Sequence, residues 1–423
     1  MKRIIPVIFC FSFFLINSRV SAQEKLSLQQ AYDLAQKNYP LIKQRELVKQ
    51  TAGLTIENLN KGYLPQFSLG GQATYQSEVT TIDVPIPGFK FNPPGKDQFK
   101  ILADLNQMIY DGGVIKQQKN IQQKNEEVNQ QKIAVDLYTI KDRINQLFLG
   151  VLYLDEQLKQ TELVKADLND GINKVKAQVE NGVALKSNLN LLQAQLLTID
   201  QKKIELNISR QGLINILSFF ISQPLPETVQ LEKPLVADII PGDIQRPELR
   251  LFTYQNQLLG SQAKLIDTKN FPKVNFFVEG GYGKPGLNFL KNQADFYYMT
   301  GIRFNWNFGG LYTQKKEKQL IEVNKKMIGI QKEIFLFNTN AALAQQVSEI
   351  SKYQQLIATD KQIIDLRIKV KQAANAQLAN AVITTLDYLQ DVNAEDQARQ
   401  NLIIHQIQLL QAKINYLTMS GMQ

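Results

Sequence analysis

The stretch Pro65-Gln66-Phe67-Ser68-Leu69-Gly70-Gly71-Gln72-Ala73-Thr74-Tyr75 sets Phe67, Leu69, Gly71, Ala73 and Tyr75 against Gln66, Ser68, Gln72 and Thr74. A period of two is that of a β-strand with one apolar face. The pattern returns at Pro272-Lys273-Val274-Asn275-Phe276-Phe277-Val278-Glu279-Gly280-Gly281-Tyr282, its proline and tyrosine aligned with the first pair and no gap between. Two more correspondences follow in order. Tyr110-Asp111-Gly112-Gly113 matches Asn307-Phe308-Gly309-Gly310, and Ile214-Asn215-Ile216-Leu217 matches Ile414-Asn415-Tyr416-Leu417. Three ordered matches indicate a duplication. The mature chain, 23–423, therefore reads as two copies of one unit, 27–224 and 245–420, joined by a proline-rich connector, 224–247.

Each copy holds a second alternating stretch. Phe99, Ile101, Ala103, Leu105 and Ile109 alternate with Lys100, Asp104 and Asn106, while Tyr298, Thr300, Ile302, Phe304 and Trp306 oppose Gly301, Arg303, Asn305 and Asn307. Four strands of about ten residues each are long enough to cross a bilayer at a tilt. On that reading Phe67, Leu69, Phe276, Val278, Ile302, Phe304 and Trp306 face lipid. Trp306, Tyr63, Tyr75, Tyr110 and Tyr282 then mark strand ends, as an interfacial aromatic belt does. A soluble sheet with one buried face shares this pattern, so the strands alone do not decide.

Helix length is the second clue. After Gly112-Gly113 a helical pattern runs unbroken to Asn181-Gly182, a rod of roughly 100 Å at 1.5 Å per residue. After Gly309-Gly310 it recurs up to Ala379-Asn380. Leu137, Ile140, Ile144, Leu147, Val151, Leu154 and Leu158 keep the three-four spacing of a coiled-coil seam. Return helices are predicted from Leu185 to about Ser222 and from Thr385 to Met419. The apolar stripe widens at Leu137-Tyr138 and Leu147-Phe148, which suits helices with neighbours on two sides. The fold class is thus mostly α with transmembrane β: two long antiparallel hairpins and four strands.

Composition narrows the function. Of 423 residues 44% are hydrophobic and 21% charged, and the mean hydropathy of −0.23 fits neither a bundle of membrane helices nor a disordered chain. One histidine and one cysteine leave little for zinc, haem or nucleophile-relay chemistry. No cofactor and no enzymatic activity are expected. Lys2 and Arg3, the apolar run Ile4 to Ile16 and Val20-Ser21-Ala22 read as a signal peptide over 1–22, which carries Cys10 away with it. The net charge of +9 loses Lys2, Arg3 and Arg19 on cleavage, and an exported chain of this kind is not expected to bind nucleic acid.

Four amphipathic strands cannot close a barrel by themselves, and an open edge in lipid leaves backbone groups unpaired at several kcal/mol each. Three copies supply twelve strands and room for an opening. Because strand passes into helix at Pro65, Gly112, Pro272 and Gly309, the barrel is expected to continue into a tube of helices.

These residues resemble the TolC-like outer-membrane efflux proteins. Leu26-Ser27-Leu28-Gln29-Gln30-Ala31-Tyr32-Asp33-Leu34-Ala35-Gln36-Lys37-Asn38-Tyr39-Pro40 is similar to that family's first helix, Leu64-Pro65-Gln66-Phe67-Ser68-Leu69 to its helix-to-strand passage, and Ile109-Tyr110-Asp111-Gly112-Gly113 to its strand-to-helix exit. Its hairpin-tip motif is matched by Gly182 with Leu189-Asn190-Leu191-Leu192, and by Leu386-Asp387-Tyr388-Leu389, where Ala381 stands for the glycine. Met108 and Asn305 replace the family's usual prolines, so the bends into the long helices are expected to rest on the glycine pairs. The resemblance covers essentially the whole mature chain. It implies a homotrimer with a twelve-stranded barrel in the outer membrane of a Gram-negative-type cell and a helical tunnel through the periplasm, serving as exit duct of a tripartite efflux or type I secretion system. Its partners would be a periplasmic adaptor and an inner-membrane transporter.

Docking is expected at the tips, Asn181, Gly182, Val183 and Ala184 with Ala379, Asn380, Ala381 and Val382. Lys174, Lys176 and Lys186 in one unit and Arg367, Lys369 and Lys371 in the other lie on the approaches, with Glu180 as the nearest opposing charge; they read as a solvated face or, alternatively, as a basic periplasmic mouth whose like charges favour opening or admit anions. A periplasmic coiled-coil adaptor or scaffold is the alternative, but adaptors present one hairpin where this chain has two.

Overall fold

The computed structural model describes residues 25–81 and 93–422. The expected signal peptide and Cys10 lie outside them. In chain order come β1 (Lys25–Leu26), α1 (Leu28–Asn38), α2 (Lys43–Asn60), β2 (Gln66–Tyr75), β3 (Asp97–Tyr110), α3 (Val114–Glu180), α4 (Lys186–Ile221), β4 (Gln230–Leu231), α5 (Pro247–Lys269), β5 (Lys273–Lys284), β6 (Asp295–Asn305), α6 (Gly310–Ala379) and α7 (Thr385–Ser420). The succession α2-β2-β3-α3-α4 is thus repeated by α5-β5-β6-α6-α7. Two compact units form, and each draws on both copies. Of the described residues, 39–81, 93–142, 239–351 and 412–422 make one; 25–38, 143–238 and 352–411 make the other.

The first unit holds a four-stranded antiparallel sheet in the order β2-β3-β5-β6. Its helices lie side by side in the matching order. On α3, Gln130 Nε2 donates to Arg45 O of α2 at 2.8 Å and Gln117 Nε2 to Ser261 O of α5 at 2.8 Å, while on α6 Gln314 Nε2 donates to Asp267 Oδ1 of α5 at 2.6 Å. Strands β2 and β6 are therefore the sheet edges, and α2 and α6 the outer helices of the row.

The two glycine pairs turn strand into helix by different means. Gly112 and Gly113 have φ of 76° and 83°, a left-handed conformation that costs a residue with a Cβ about 1–2 kcal/mol. Asp111 closes this turn by accepting from Gly113 N–H at 2.8 Å and Ile115 N–H at 2.5 Å, which satisfies amides that α3 leaves open at its start. Gly309 and Gly310 have no such φ. At Gly310 the need is space, because a Cβ there would come 2.0 Å from Asn270 Oδ1.

In the other unit the expected seam of α3 buries Leu137's successors Ile144, Leu147 and Val151. Leu154 and Leu158 are only half-buried, and Gln157, Gln160 and Thr161 are buried in their stead. The cause is α7, where Asp396 Oδ1 accepts from Gln160 Nε2 at 2.9 Å. Further along, Val164, Leu168 and Val175 of α3 form a core with Leu192 of α4, Ala374 and Leu378 of α6, and Tyr388, Leu389 and Val392 of α7. Both hairpins of the chain are thereby joined in one apolar cluster. No helix among the described residues is long and apolar enough to cross a membrane.

Candidate functional site

Directly opposed residues of neighbouring strands point to the same face of a sheet. Phe67 opposes Leu105, Leu105 opposes Val278, and Val278 opposes Thr300; Leu69, Ala103, Gly280 and Tyr298 make the next row. Phe276 opposes Ile302, and Val274 opposes Phe304. The alternating residues singled out in the sequence therefore lie on one face, and most of them are exposed. Two differ from expectation. Ile109 has no partner on β5, because Met108 pairs with Asn275 and Tyr110 with Val274, so it is the extra residue of a β-bulge. Trp306 lies past the end of β6; its indole N–H donates to Asn270 O at 3.0 Å and its ring sits 4.7 Å from that of Phe308.

The opposite face is polar. Ser68, Asp104, Glu279 and Met299 form one row, and Gln72, Lys100, Gly283 and Asp295 another. Glu279 pairs with Arg303 at 3.2 Å, and the Arg303 guanidinium lies over the Phe277 ring at 4.6 Å.

The hairpin tips are near copies of each other. Helix α3 is followed by Asn181, whose Nδ2 donates to Ala177 O at 2.9 Å, then Gly182 at φ 73°, with Val183 N–H donating back to Gln178 O at 2.8 Å. Helix α6 is followed by Asn380, whose Nδ2 donates to Ala376 O at 2.9 Å, then Ala381 at φ 55°, with Val382 N–H donating to Gln377 O at 2.9 Å. A left-handed residue after the last turn lets the chain reverse and caps the open carbonyls. Ala379 is the last helical residue rather than part of the turn. Val183, Leu185, Val382 and Leu386 are largely exposed around these turns.

The helix starts beyond the turns are unlike. Thr384 and Asp387 form a capping box: Thr384 N–H donates to Asp387 Oδ2 at 3.0 Å and Asp387 N–H to Thr384 Oγ1 at 3.2 Å. The Thr384 hydroxyl and amide hold the Asp387 carboxyl below its usual range. On the first tip Leu185 takes the corresponding place with no side-chain cap. The tips are also braced together, since Gln178 Nε2 donates to Leu378 O at 2.6 Å and Lys174 Nζ to Asn375 Oδ1 at 2.5 Å.

Two of the basic residues on the approaches are held in ion pairs. Lys371 pairs with Asp167 at 2.8 Å and Glu395 at 2.5 Å, Glu395 also pairs with Arg399 at 2.7 Å, and Lys369 pairs with Asp365 at 2.7 Å. Asp167 and Glu395 lie on facing helices and were hidden from a reading of α6 alone, whereas Asp365 stands four residues before Lys369 on the same helix; Glu180 is not the nearest opposing charge. Lys176 and Arg367 are exposed. Burial acts on Lys371 against its charge, but the two carboxylates more than offset it and its pKa is raised. For Glu395 burial pushes upward, and Lys371 and Arg399 more than offset that, so its pKa is lowered. Two residues absent from the expected site complete the packing. Tyr388 inserts its ring between α7 and α3, its hydroxyl donates to Asp167 O at 3.1 Å, and burial pushes its pKa to about 12. Gly171 receives that ring. A glycine in mid-helix was the signal available in the sequence. The single histidine, His405, has Nδ1 2.6 Å from Asp360 Oδ2. No group of three or more metal-ligating side chains occurs among the described residues.

Residues 31–216 match the family model of the outer membrane efflux proteins. No curated protein matches the chain in sequence. In structure the chain is similar to the outer membrane protein VceC of Vibrio cholerae, with TM-score 0.65 and 13% identity over 93% of this chain and 96% of that one. It is similar also to the CmeC outer membrane channel of Campylobacter jejuni, with TM-score 0.62 and 12% identity over 93% and 85%. For the open state of the MtrE outer membrane channel of Neisseria gonorrhoeae the values are 0.65 and 12% over 93% and 88%. Residues 31–216 thus match the outer membrane efflux protein family in sequence, and the chain as a whole has the fold of such outer-membrane channels.

Proposed function

We infer that this chain is the outer-membrane exit duct of a tripartite efflux or type I secretion system, passing substrates to the exterior as a homotrimer. The observation that carries the reading is the sheet, apolar on one face and polar on the other, whose four strands lead into helices set in the same lateral order. Such a sheet suits lipid outside and water inside, with Phe67, Leu69, Phe276, Val278, Ile302 and Phe304 toward lipid. Its edges β2 and β6 call for pairing with other copies.

A second feature supports self-association. On α6, the outer helix of the row, Leu320, Val323, Met327, Ile330, Ile334 and Phe337 follow three-four spacing and each is at least half exposed. This is a coiled-coil seam without its partner, and an adjacent copy supplies one at α2. The hairpin tips, 181–184 and 379–382, are the docking surface for a periplasmic adaptor that joins the duct to an inner-membrane transporter. With Lys371 and Lys369 neutralised, any basic character of the mouth rests on Lys174, Lys176, Lys186 and Arg367.

Native mass measurement of the protein extracted from outer membranes tests the assembly. Three copies are expected; a stable monomer in mild detergent contradicts the reading.

A further inference from the structure

On the polar face of the sheet, near the end remote from the helices, lies a cavity of about 330 Å³. Gly281 and Gly283 place no side chain on that face, and the Tyr297 ring lies across Gly281 so closely that a Cβ there would come 2.6 Å from its Cζ. Leu102, Met299 and Tyr297 give apolar walls, Gln72 and Gln98 give amide groups, and Pro285 to Leu287 fold over as a roof. The volume falls within the range of small-molecule sites, about 300–1,000 Å³, and the lining is more polar than apolar, with Leu102, Tyr297 and Met299 in its apolar part.

The charges decide what would fit. Lys284 is held by Asp97 at 2.9 Å and Glu279 by Arg303 at 3.2 Å. Lys100 is the lining cation with no ion-pair partner among the described residues. Asp295 lies in the same row two strands away; its Oδ1 accepts from Phe296 N–H at 2.9 Å, and it does not line the cavity. We propose that this cavity binds a small flat organic anion, its aromatic part against Tyr297 and Met299 and its carboxylate or sulfonate on Lys100. In a duct the site sits in the lumen at the outer end, and it delays or meters amphiphilic anions as they leave. That placement rests on the duct reading; the binding itself does not.

Calorimetric titration of the full mature protein in detergent with 1-naphthoate tests it, with 1-naphthylmethylammonium as the cation of like shape. Saturable binding of the naphthoate is expected, at least tenfold weaker in Lys100→Met, retained in Lys100→Arg, and weakened in Tyr297→Ala. Lys100 is exposed, so its replacement leaves folding intact. Absence of saturable naphthoate binding, equal affinity for the ammonium, or undiminished binding in Lys100→Met overturns the proposal. Because binding is read apart from conduction, a channel that conducts without binding sinks the site and leaves the duct standing, and binding without conduction does the reverse.

Discussion

The Tyr388 ring packs so closely on Gly171 that a Cβ at that glycine would stand 2.8 Å from Tyr388 Cε1. Alanine there gains up to about 1 kcal/mol of helix propensity but forces a fully buried ring aside, at about 1–3 kcal/mol for overpacking. Gly171→Ala is therefore destabilising on balance. Gly212 in α4 has nothing within 4 Å of its would-be Cβ, so Gly212→Ala keeps the propensity gain and stabilises by about 0.5–1 kcal/mol. Thermal unfolding of both variants should shift in opposite directions; shifts of the same sign refute the Tyr388 contact.

The two turns predict a second pair. Gly182 and Ala381 hold equivalent left-handed positions, and no atom lies within 4 Å of a Cβ at Gly182, so conformational strain alone separates the residues. Gly182→Ala should weaken its tip and Ala381→Gly strengthen its own, by about 1 kcal/mol each. Amide exchange at Val183 and Val382 reads this directly.

The network at Lys371 sets a pH window. Glu395 has a lowered pKa in the fold, so its stabilisation is present above the unfolded value and disappears as pH falls through the folded one. Lys371 has a raised pKa, so its share is present below the unfolded value and fades only as pH rises through the folded one, above the ordinary lysine range. Both shares are present together between about pH 5 and pH 10. Lys371→Met leaves Glu395 and Asp167 without this partner and should cost about 3 kcal/mol in that window. The deficit relative to wild type should shrink below about pH 4; a pH-independent deficit would show that packing, not charge, is what Lys371 supplies.

On the sheet, arginine at Val278 should cost about 2–4 kcal/mol near a bilayer midplane, whereas arginine at Ser68, on the other face, should be tolerated. Equal losses of assembled protein in the outer membrane would contradict the assignment of faces.

Period and punctuation made much of this architecture legible. The alternation from Phe67 to Tyr75 gave the strand and its face, and the glycines at 112–113 and 182 bounded a helix observed at Val114–Glu180. The bulge at Ile109 escaped because a period of two carries no mark of an extra residue until its partner strand is known. The ion pairs of Lys371 escaped for a related reason. Asp167 is far off in sequence and meets Lys371 only when α3 and α6 pack, so Lys371 looked free on its own helix. Conversely, the apolar positions of α6 from Leu320 to Phe337 look like core in the sequence and stand exposed in the single chain. On the proposed assembly such positions are covered by a neighbouring copy.

Conductance across a planar bilayer tests the central claim most directly. Purified trimers should insert and carry a steady ionic current in uniform steps, and protein with arginine at Val278 should insert far less. Folded trimers that leave the bilayer as resistive as bare lipid, at every protein concentration and voltage applied, would contradict the account.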